Sequence, residues 1–325
     1  MNPKLVEMVV CQVRPLTARV REYTLTTAAG TPLPTWSAGA HVALHLRHPV
    51  RGGLVRHYSL IGGDGLQNDP PHTYRIAIQR EPHGVVSNWV HDTFEVGTTL
   101  RAGPPVQAFA LDRQAPQVLL LAGGIGITPL VSMARSLVRR HRPFQLVYCG
   151  QRPEDMAYTP TLQALCGSAL QLHCSDTHGQ LDVAQLLAAQ TPQTQVYVCG
   201  PTGLINACQR SAQALGWTED RLRSEAFVSP VRPGDTPFVV TLQRSGRQVP
   251  VRADESLLDA LGNARVPVWW DCRKGECGLC ATRVLAHDGE LVHRDRYLTE
   301  QDRQDNHTLC LCVSRLRGHH LVLDL

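Results

Sequence analysis

One nine-residue stretch, Cys272 to Cys280, limits what this chain can fold around: C-R-K-G-E-C-G-L-C. Three cysteines stand at x4 and x2 spacing in one loop, and a fourth follows in L-C-V-S-R at Cys312. Two irons bridged by sulfide need four thiolates, and one short loop can wrap a side of such a cluster. Gly275 and Gly278 permit sharp turns and close backbone approach where a Cβ would obstruct. Zinc sites favour paired short C-x2-4-C spacings, and C-x4-C-x2-C followed by one distant cysteine fits that poorly. The spacing therefore predicts a [2Fe–2S] centre on Cys272, Cys277 and Cys280, with a fourth ligand from the later L-C-L-C-V-S-R segment. Cys310 is a local rival, because residues two apart on a strand face the same side.

At 325 residues there is room for two or three domains. No run of about 18 apolar residues could span a bilayer. The start, MNPKLVEMVVCQVRPL, lacks signal-peptide architecture and reads as a first strand. A formal charge of +4 is too mild to argue for nucleic acid. Of 11 cysteines, those beyond a four-ligand cluster would be free thiols, which suits a reducing cytoplasm.

Residues 1–113 read as β-rich, with strands expected at 5–13, 19–26, 41–46, 57–61 and 74–79 between Gly, Pro and Asp turns. A short helix is expected at 86–94. The pattern suggests a small closed antiparallel β-barrel. It carries R-H-Y-S-L, Arg56 to Leu60, and H-G-V-V-S, His83 to Ser87. Gly84 to Ser87 would present free N–H groups at a helix start, a phosphate site. Arg56 could pair a phosphate edge, and Tyr58 offers a flat face for a ring system. Taken alone, R-x-Y-S also fits a half-buried strand with an exposed arginine.

Residues 114–228 alternate strand and helix: strands at 117–121, 145–149, 170–174 and 195–198, helices at 129–140, 181–189 and 201–215. That alternation argues for an α/β domain with a parallel sheet. The first strand runs into G-G-I-G-I-T-P, Gly123 to Pro129. It is not the G-x-G-x-x-G fingerprint, but a glycine-rich turn there lets a pyrophosphate approach backbone N–H groups. Thr128 suits the N-cap and Pro129 the first helical turn. Cys199-Gly200-Pro201 ends a later strand, where sheets of this type bind ligands. Asp176 follows another strand; an acidic residue there would accept from a ribose 2′-OH and favour NADH, while Arg152 is a competing signal for a 2′-phosphate.

Residues 229–236, within V-S-P-V-R-P-G-D-T, are a linker. Residues 237–325 then read as a small mixed α+β sheet gripping one helix. The expected elements are a hairpin of 238–243 and 248–252, a helix at 256–264 capped by Asp254 or Ser256, and strands at 281–285 and 321–325. Of Trp269 and Trp270, one is expected in the core and one partly exposed.

Three motifs thus stand in one order: R-H-Y-S-L, then G-G-I-G-I-T-P with C-G-P, then C-R-K-G-E-C-G-L-C with L-C-V-S-R. The set resembles the ferredoxin–NADP reductase superfamily with an appended plant-type ferredoxin, in the order found in the phthalate dioxygenase reductase-like family. The resemblance covers nearly the whole chain. It implies a flavin β-barrel, an NAD-binding α/β domain and a β-grasp ferredoxin domain. It implies flavin contacts from Arg56, His57, Tyr58 and Ser59, and a flavin-phosphate site at Gly84 and Ser87. Gly123, Gly124, Gly126 and Thr128 would line the dinucleotide, with Asp176 at its ribose. Cys199, Gly200 and Pro201 would sit by the nicotinamide and Phe227 near the flavin face, so that Ser59, Cys199 and Phe227 mark the hydride-transfer site. The resemblance also selects Cys312 over Cys310, because in ferredoxins the last ligand precedes a branched and then a polar residue, as in Cys312-Val313-Ser314. One departure stands out: Val85 and Val86 occupy positions where relatives carry a glycine pair.

The family implies FMN, and residues 61–72 hold no Phe, Tyr or Trp to stack an adenine, which favours FMN over FAD. The implied activity is that of a cytoplasmic, monomeric NADH-dependent reductase. It would pass electrons through the flavin and the [2Fe–2S] cluster to a Rieske-type terminal oxygenase. Arg273, Lys274, Arg283, Arg294, Arg296, Arg315 and Arg317 could steer an acidic partner. Rival readings are a reductase for another acceptor, such as a cytochrome P450, and an iron–sulfur redox sensor with degenerate nucleotide sites. Hydride transfer needs no general acid or base, so no histidine is given a catalytic role.

Overall fold

In the first strands, β1 (Val6–Pro15) and β2 (Val20–Thr27), branched and aromatic residues face a common core in which Met8, Val10, Tyr23 and Leu25 are fully buried. The computed structural model describes residues 5–49, 52–62, 72–81, 85–227, 232, 234–270, 275, 278–295 and 297–325. The two strands pair antiparallel, with a bulge between Val10 and Gln12. β3 (Ala40–His48), β4 (Gly52–Ser59), β5 (Thr73–Gln79), α1 (Val85–Thr93), β6 (Thr99–Ala102) and β7 (Val106–Gln107) follow. The strands run in the order β4-β3-β6-β1-β2-β5, with β7 on β3. A bond from the Ile61 N–H to the Arg75 carbonyl (2.8 Å) ties the end of β4 back to β5, curling the sheet into a barrel. β6 and β7 were not among the expected strands; both are too short to carry a clear alternation.

The parallel sheet is built from β8 (Gln117–Gly123), β9 (Phe144–Gly150), β10 (Leu170–Cys174), β11 (Thr194–Gly200) and β12 (Leu222–Ala226). Its helices are α2 (Ile127–Arg139), α3 (Thr159–Cys166), α4 (Ser175–His178), α5 (Val183–Ala188) and α6 (Thr202–Ala214). The sheet order is β10-β9-β8-β11-β12. The chain therefore reverses its direction of travel across the sheet between β8 and β11, and a crevice opens there at the carboxyl ends. α2 places Ile127, Leu130, Val131, Ala134 and Leu137 on one buried face at helical spacing. They join a core that also takes Val20, Ala38 and Ala77 from the barrel. Truncating such a leucine to alanine costs about 2–5 kcal/mol.

Contacts divide the chain into two units, residues 1–48 with 55–227, and residues 49–54 with 228–325. The second unit contains β13 (Phe238–Leu242), β14 (Gln248–Val251), α7 (Leu257–Asn263), β15 (Ala281–His287), β16 (Glu290–Val292), α8 (Glu300–Asp305), β17 (Thr308–Cys310), β18 (Arg315–Arg317) and β19 (His320–Leu323). Its main sheet runs β14-β13-β19-β15-β17, with β13 and β19 parallel and the other pairs antiparallel, as a β-grasp requires. Leu257, Leu258 and Leu261 of α7 are buried in its core. Ser256 caps this helix, its Oγ accepting from the Asp259 N–H at 3.0 Å. Trp270 packs against the core while Trp269 is 75% exposed. Among the described residues, no helix is long and apolar enough to cross a membrane.

Candidate functional site

β4 delivers Arg56, His57, Tyr58 and Ser59 in sequence. Ser59 is 5% exposed, and its Oγ has no hydrogen-bond partner among the described residues. A buried hydroxyl left without a partner is costly, so this oxygen marks a place where a ligand would supply one. Burial pushes the Tyr58 phenol up to about 12, against the opposing charge of Arg56, and keeps it a neutral donor at physiological pH. Arg56 Nη1 donates to the Val55 carbonyl at 2.8 Å. His57 stacks on the buried His41, ring centroids 4.8 Å apart. Ser87, near the start of α1, accepts from the Glu81 N–H at 3.1 Å. Gly84 lies outside the described residues.

Two turns flank the crevice between β8 and β11. Gly123 closes β8, and Gly124 to Gly126 form one tight turn before α2. A Cβ on Gly126 would run into the Cys199 carbonyl, and one on Gly200 would lie 2.9 Å from Gly123 Cα. The G-G-I-G and C-G-P backbones thus touch, and only glycine permits it. Thr128 is not the N-cap. α2 begins at Ile127 with Gly126 at the cap, and the Thr128 hydroxyl turns back to the Ile125 carbonyl at 3.0 Å. The tight turn before the helix already supplies the early bonds, which shifts the start upstream of the expected position.

Cys199 is fully buried in the core, so its backbone, pressed on Gly126, is what lines the crevice floor. The β11–β12 register sets Gly200 opposite Ala226, which puts Pro201 and Phe227 one residue further on at the same sheet end. Phe227 is 40% exposed there, in a chain whose other phenylalanines in the core are covered. At the outer end of the sheet, Arg152 Nε donates to Asp176 Oδ2 at 3.0 Å, so the two competing coenzyme signals form one exposed ion pair.

At the iron–sulfur loop, Cys272 and Cys277 lie outside the described residues, as do Arg273, Lys274 and Arg296. Cys280 and Cys312 are buried with sulfurs 3.2 Å apart, close enough to share one iron. Hydrogen bonds from Cys310 and then Cys312 outweigh burial and lower the Cys280 thiol from its ordinary value, the direction that suits a metal ligand. Cys310 is fully buried on β17, opposite Ala281. Gly278, at φ +73°, lies where a Cβ would enter the Tyr297 ring; a Cβ on Gly275, at φ +74°, would come within 2.7 Å of Asp295 Cα. This donor set and its glycine-lined cradle fit a [2Fe–2S] cluster.

Two contributors were not legible in sequence. Buried Asp295 accepts from the Leu298 N–H (2.9 Å) and from Ser314 Oγ (3.2 Å), pinning the Cys312 turn. Ser132 of α2 donates to the Leu60 carbonyl (2.7 Å) and accepts from the Gly62 N–H (3.2 Å), fastening α2 to the chain just past Ser59. A serine amid the apolar face of α2 was the available signal for the second. Nothing local marks the first.

A family model for the 2Fe-2S iron-sulfur cluster binding domain matches residues 240–317, and one for the N-terminal domain of the dimethylamine monooxygenase subunit DmmA-like matches residues 98–222. The chain is 40% identical over 99% of both sequences to the heme-dependent oxidative N-demethylase beta subunit of Ectopseudomonas mendocina. It is 34% identical to a vanillate O-demethylase oxidoreductase of Pseudomonas sp., over 99% of this chain and 100% of that one. Phthalate dioxygenase reductase superposes with a TM-score of 0.86 at 30% identity, covering 99% of this chain and 98% of the other.

Proposed function

The chain belongs to the phthalate dioxygenase reductase-like family of oxygenase reductases, and from that premise we propose that it draws electrons from NADH through FMN and a [2Fe–2S] cluster to a Rieske-type terminal oxygenase that acts on an aromatic acid. It is an oxidoreductase whose cofactors are a flavin, NADH and the cluster. When bound, the flavin accepts a hydride and the cluster carries electrons onward singly. The observation that carries the reading is the meeting of the G-G-I-G and C-G-P turns at the sheet's crossover, in one chain with the Cys280–Cys312 pair.

Residues 1–113 are assigned to the flavin, 114–228 to the dinucleotide and 237–325 to the cluster, joined by the linker 229–236. Ser59 offers its buried Oγ to the flavin ring, beside Tyr58, His57 and Arg56. Gly84 and Ser87 take the flavin phosphate. Gly123, Gly124, Gly126 and Thr128 receive the dinucleotide, Cys199, Gly200 and Pro201 bound the nicotinamide, and Phe227 covers the ring stack. Asp176 reads the ribose. Cys272, Cys277, Cys280 and Cys312 hold the irons. FMN is preferred to FAD on the non-aromatic stretch 61–72, of which residues 63–71 lie outside the described ones. A cytoplasmic location fits the free thiols of the described cysteines.

A second acceptor has one observation in its favour. The N-demethylase relative, named as heme-dependent, is more alike in sequence than the vanillate enzyme. A haem-iron oxygenase is therefore the alternative electron sink.

The test is the anaerobic visible spectrum of the purified protein before and after NADH. Flavin and [2Fe–2S] bands that bleach together, with the electron-spin signal of a reduced cluster, are expected. A protein lacking flavin absorption would sink the reductase reading.

A further inference from the structure

Away from the crevice, a cavity of about 360 Å³ opens between the barrel strands β1, β2 and β5 and the helices α2 and α3. Its walls carry three guanidinium groups, Arg14, Arg75 and Arg135, and one carboxylate, Glu22. The carboxylate is already taken. Buried Glu22 accepts from Arg14 Nε (3.2 Å) and Nη2 (2.9 Å) on one oxygen and from the Tyr158 hydroxyl (2.8 Å) on the other. Arg75 and Arg135 have no acidic partner among the described residues, and Arg135 Nε is buried without a hydrogen-bond acceptor. Burial, and then the charge of Arg75, lower Arg135 below the usual arginine value. Two guanidiniums with no carboxylate partner among the described residues thus line one cavity, beside Gln12 and Thr161.

We propose that this cavity is a binding site for a small molecule bearing a doubly charged oxyanion, a phosphate or dicarboxylate, held by Arg75 and Arg135. A planar guanidinium presents paired N–H donors that match such an oxyanion. The volume exceeds what a lone phosphate fills, leaving room for an organic body against Ile61 and Val131. The site is distinct from the dinucleotide crevice. Arg135 lies seven residues along α2 from Thr128, about 10 Å at helical rise. It also lies one turn beyond Ser132, which bonds α2 to Leu60 and Gly62. An anion bridging Arg75 on β5 to Arg135 on α2 would add a second fastening between the barrel and the helix that opens the dinucleotide turn.

The test is calorimetric titration of the full-length, flavin- and cluster-loaded protein with inorganic phosphate, phenyl phosphate and succinate, at constant ionic strength set with chloride. Saturable binding of at least one probe, one per chain, is expected. Its affinity should fall about tenfold or more in Arg75→Gln and in Arg135→Gln and fall less in Arg139→Gln, an exposed arginine one turn further along α2. Which probe binds tightest separates free phosphate from a phosphate ester or a dicarboxylate. A thermal melt provides a second readout. In chloride alone Arg135→Gln should be no less stable than the parent, because a like charge is gone, and it should lose any phosphate-dependent rise. Heats that do not saturate for any probe, equal binding by the glutamine variants, or displacement of the anion by NAD⁺ would each overturn the proposal. NAD⁺ displacement would do so while leaving the reductase reading intact.

Discussion

Ser59 shows how much of the chemistry rests on single atoms. Its hydroxyl is buried and unsatisfied, whereas the neighbouring Leu60 carbonyl is satisfied by Ser132. If Ser59 binds the flavin ring as proposed, Ser59→Ala takes that one hydrogen bond away. NADH-dependent flavin reduction should slow about tenfold, the equivalent of one such bond, with flavin content unchanged, as read by anaerobic stopped-flow absorbance. Reduction at the parent rate would mean that the hydroxyl faces no cofactor. Single residues also divide what the sequence could reveal from what it could not. The iron–sulfur domain was legible because ligand geometry writes itself into spacing. Asp295 was not, because its partner Ser314 is distant in sequence and their bond exists only once β17 and β18 have formed. Arg294 and Arg315 were misread as exposed steering charges. Arginine is seldom buried unless paired, yet Arg315 is 2% exposed, with Nη2 donating to the Thr236 and Arg252 carbonyls at 3.0 Å.

Elements turn such residues into sites by fixing where they end. β9 and β10 run parallel in register, so Arg152 and Asp176, just past their carboxyl ends, meet as a pair. Sequence offered them as opposing votes on the coenzyme; the sheet brings them together as one exposed ion pair. Asp176→Ser would free Arg152 for a 2′-phosphate and should raise the NADPH-to-NADH ratio of kcat/KM about tenfold. Arg152→Ala, leaving the carboxylate bare, should lower it. Steady-state rates with both coenzymes check this, and an unmoved ratio in both variants would show that the ribose is read elsewhere. The segment before β13 is organised by a different ion pair. Asp235 accepts from Arg294 Nη1 at 2.9 Å and lies 3.6 Å from Arg315 Nε. Burial works against its charged form, but the bonds from Arg294 and the Arg232 N–H and the nearby guanidiniums prevail and hold its carboxyl below the ordinary 3.8. The depressed value means that the stability it contributes is present above pH 3.8 and is lost as pH falls through the lower folded value. Asp235→Asn leaves two buried guanidiniums short of their counter-charge and should cost about 3–5 kcal/mol. Urea unfolding followed at the cluster band would measure the loss, and the difference between variant and parent should shrink towards acid pH. This clamp was invisible in sequence, where the segment reads only as a Pro/Gly linker.

For the whole molecule the open question is what brings the acceptor to the cluster. A charge-steered encounter was the expectation, but the burial of Arg294 and Arg315 removes two of the arginines on which it rested. Arg317 is exposed but ion-paired with Glu290 at 3.1 Å, and Arg283 is exposed as well. Among its described residues the cluster domain also presents large apolar side chains. Leu279, inside the cysteine loop, is 54% exposed, and Trp269 and Tyr297 are also uncovered. An exposed leucine inside the cysteine loop suits a partner that docks by desolvation, with charge acting at the rim. Two consequences separate this from steering by charge. Leu279→Ala should slow reduction of the partner oxygenase about tenfold, as loss of a central apolar contact does, while ferricyanide, which needs no docking face, is reduced at the parent rate. Raising salt should slow the partner less than the Leu279 change does, since screening acts on exposed charges over a Debye length of about 10 Å at 0.1 M and leaves apolar contacts in place. Running both measurements with a Rieske-type and with a haem-dependent oxygenase assigns the acceptor as well. The true partner is the one whose reduction depends on Leu279. A rate that collapses with salt and ignores Leu279 would return the encounter to the remaining basic residues.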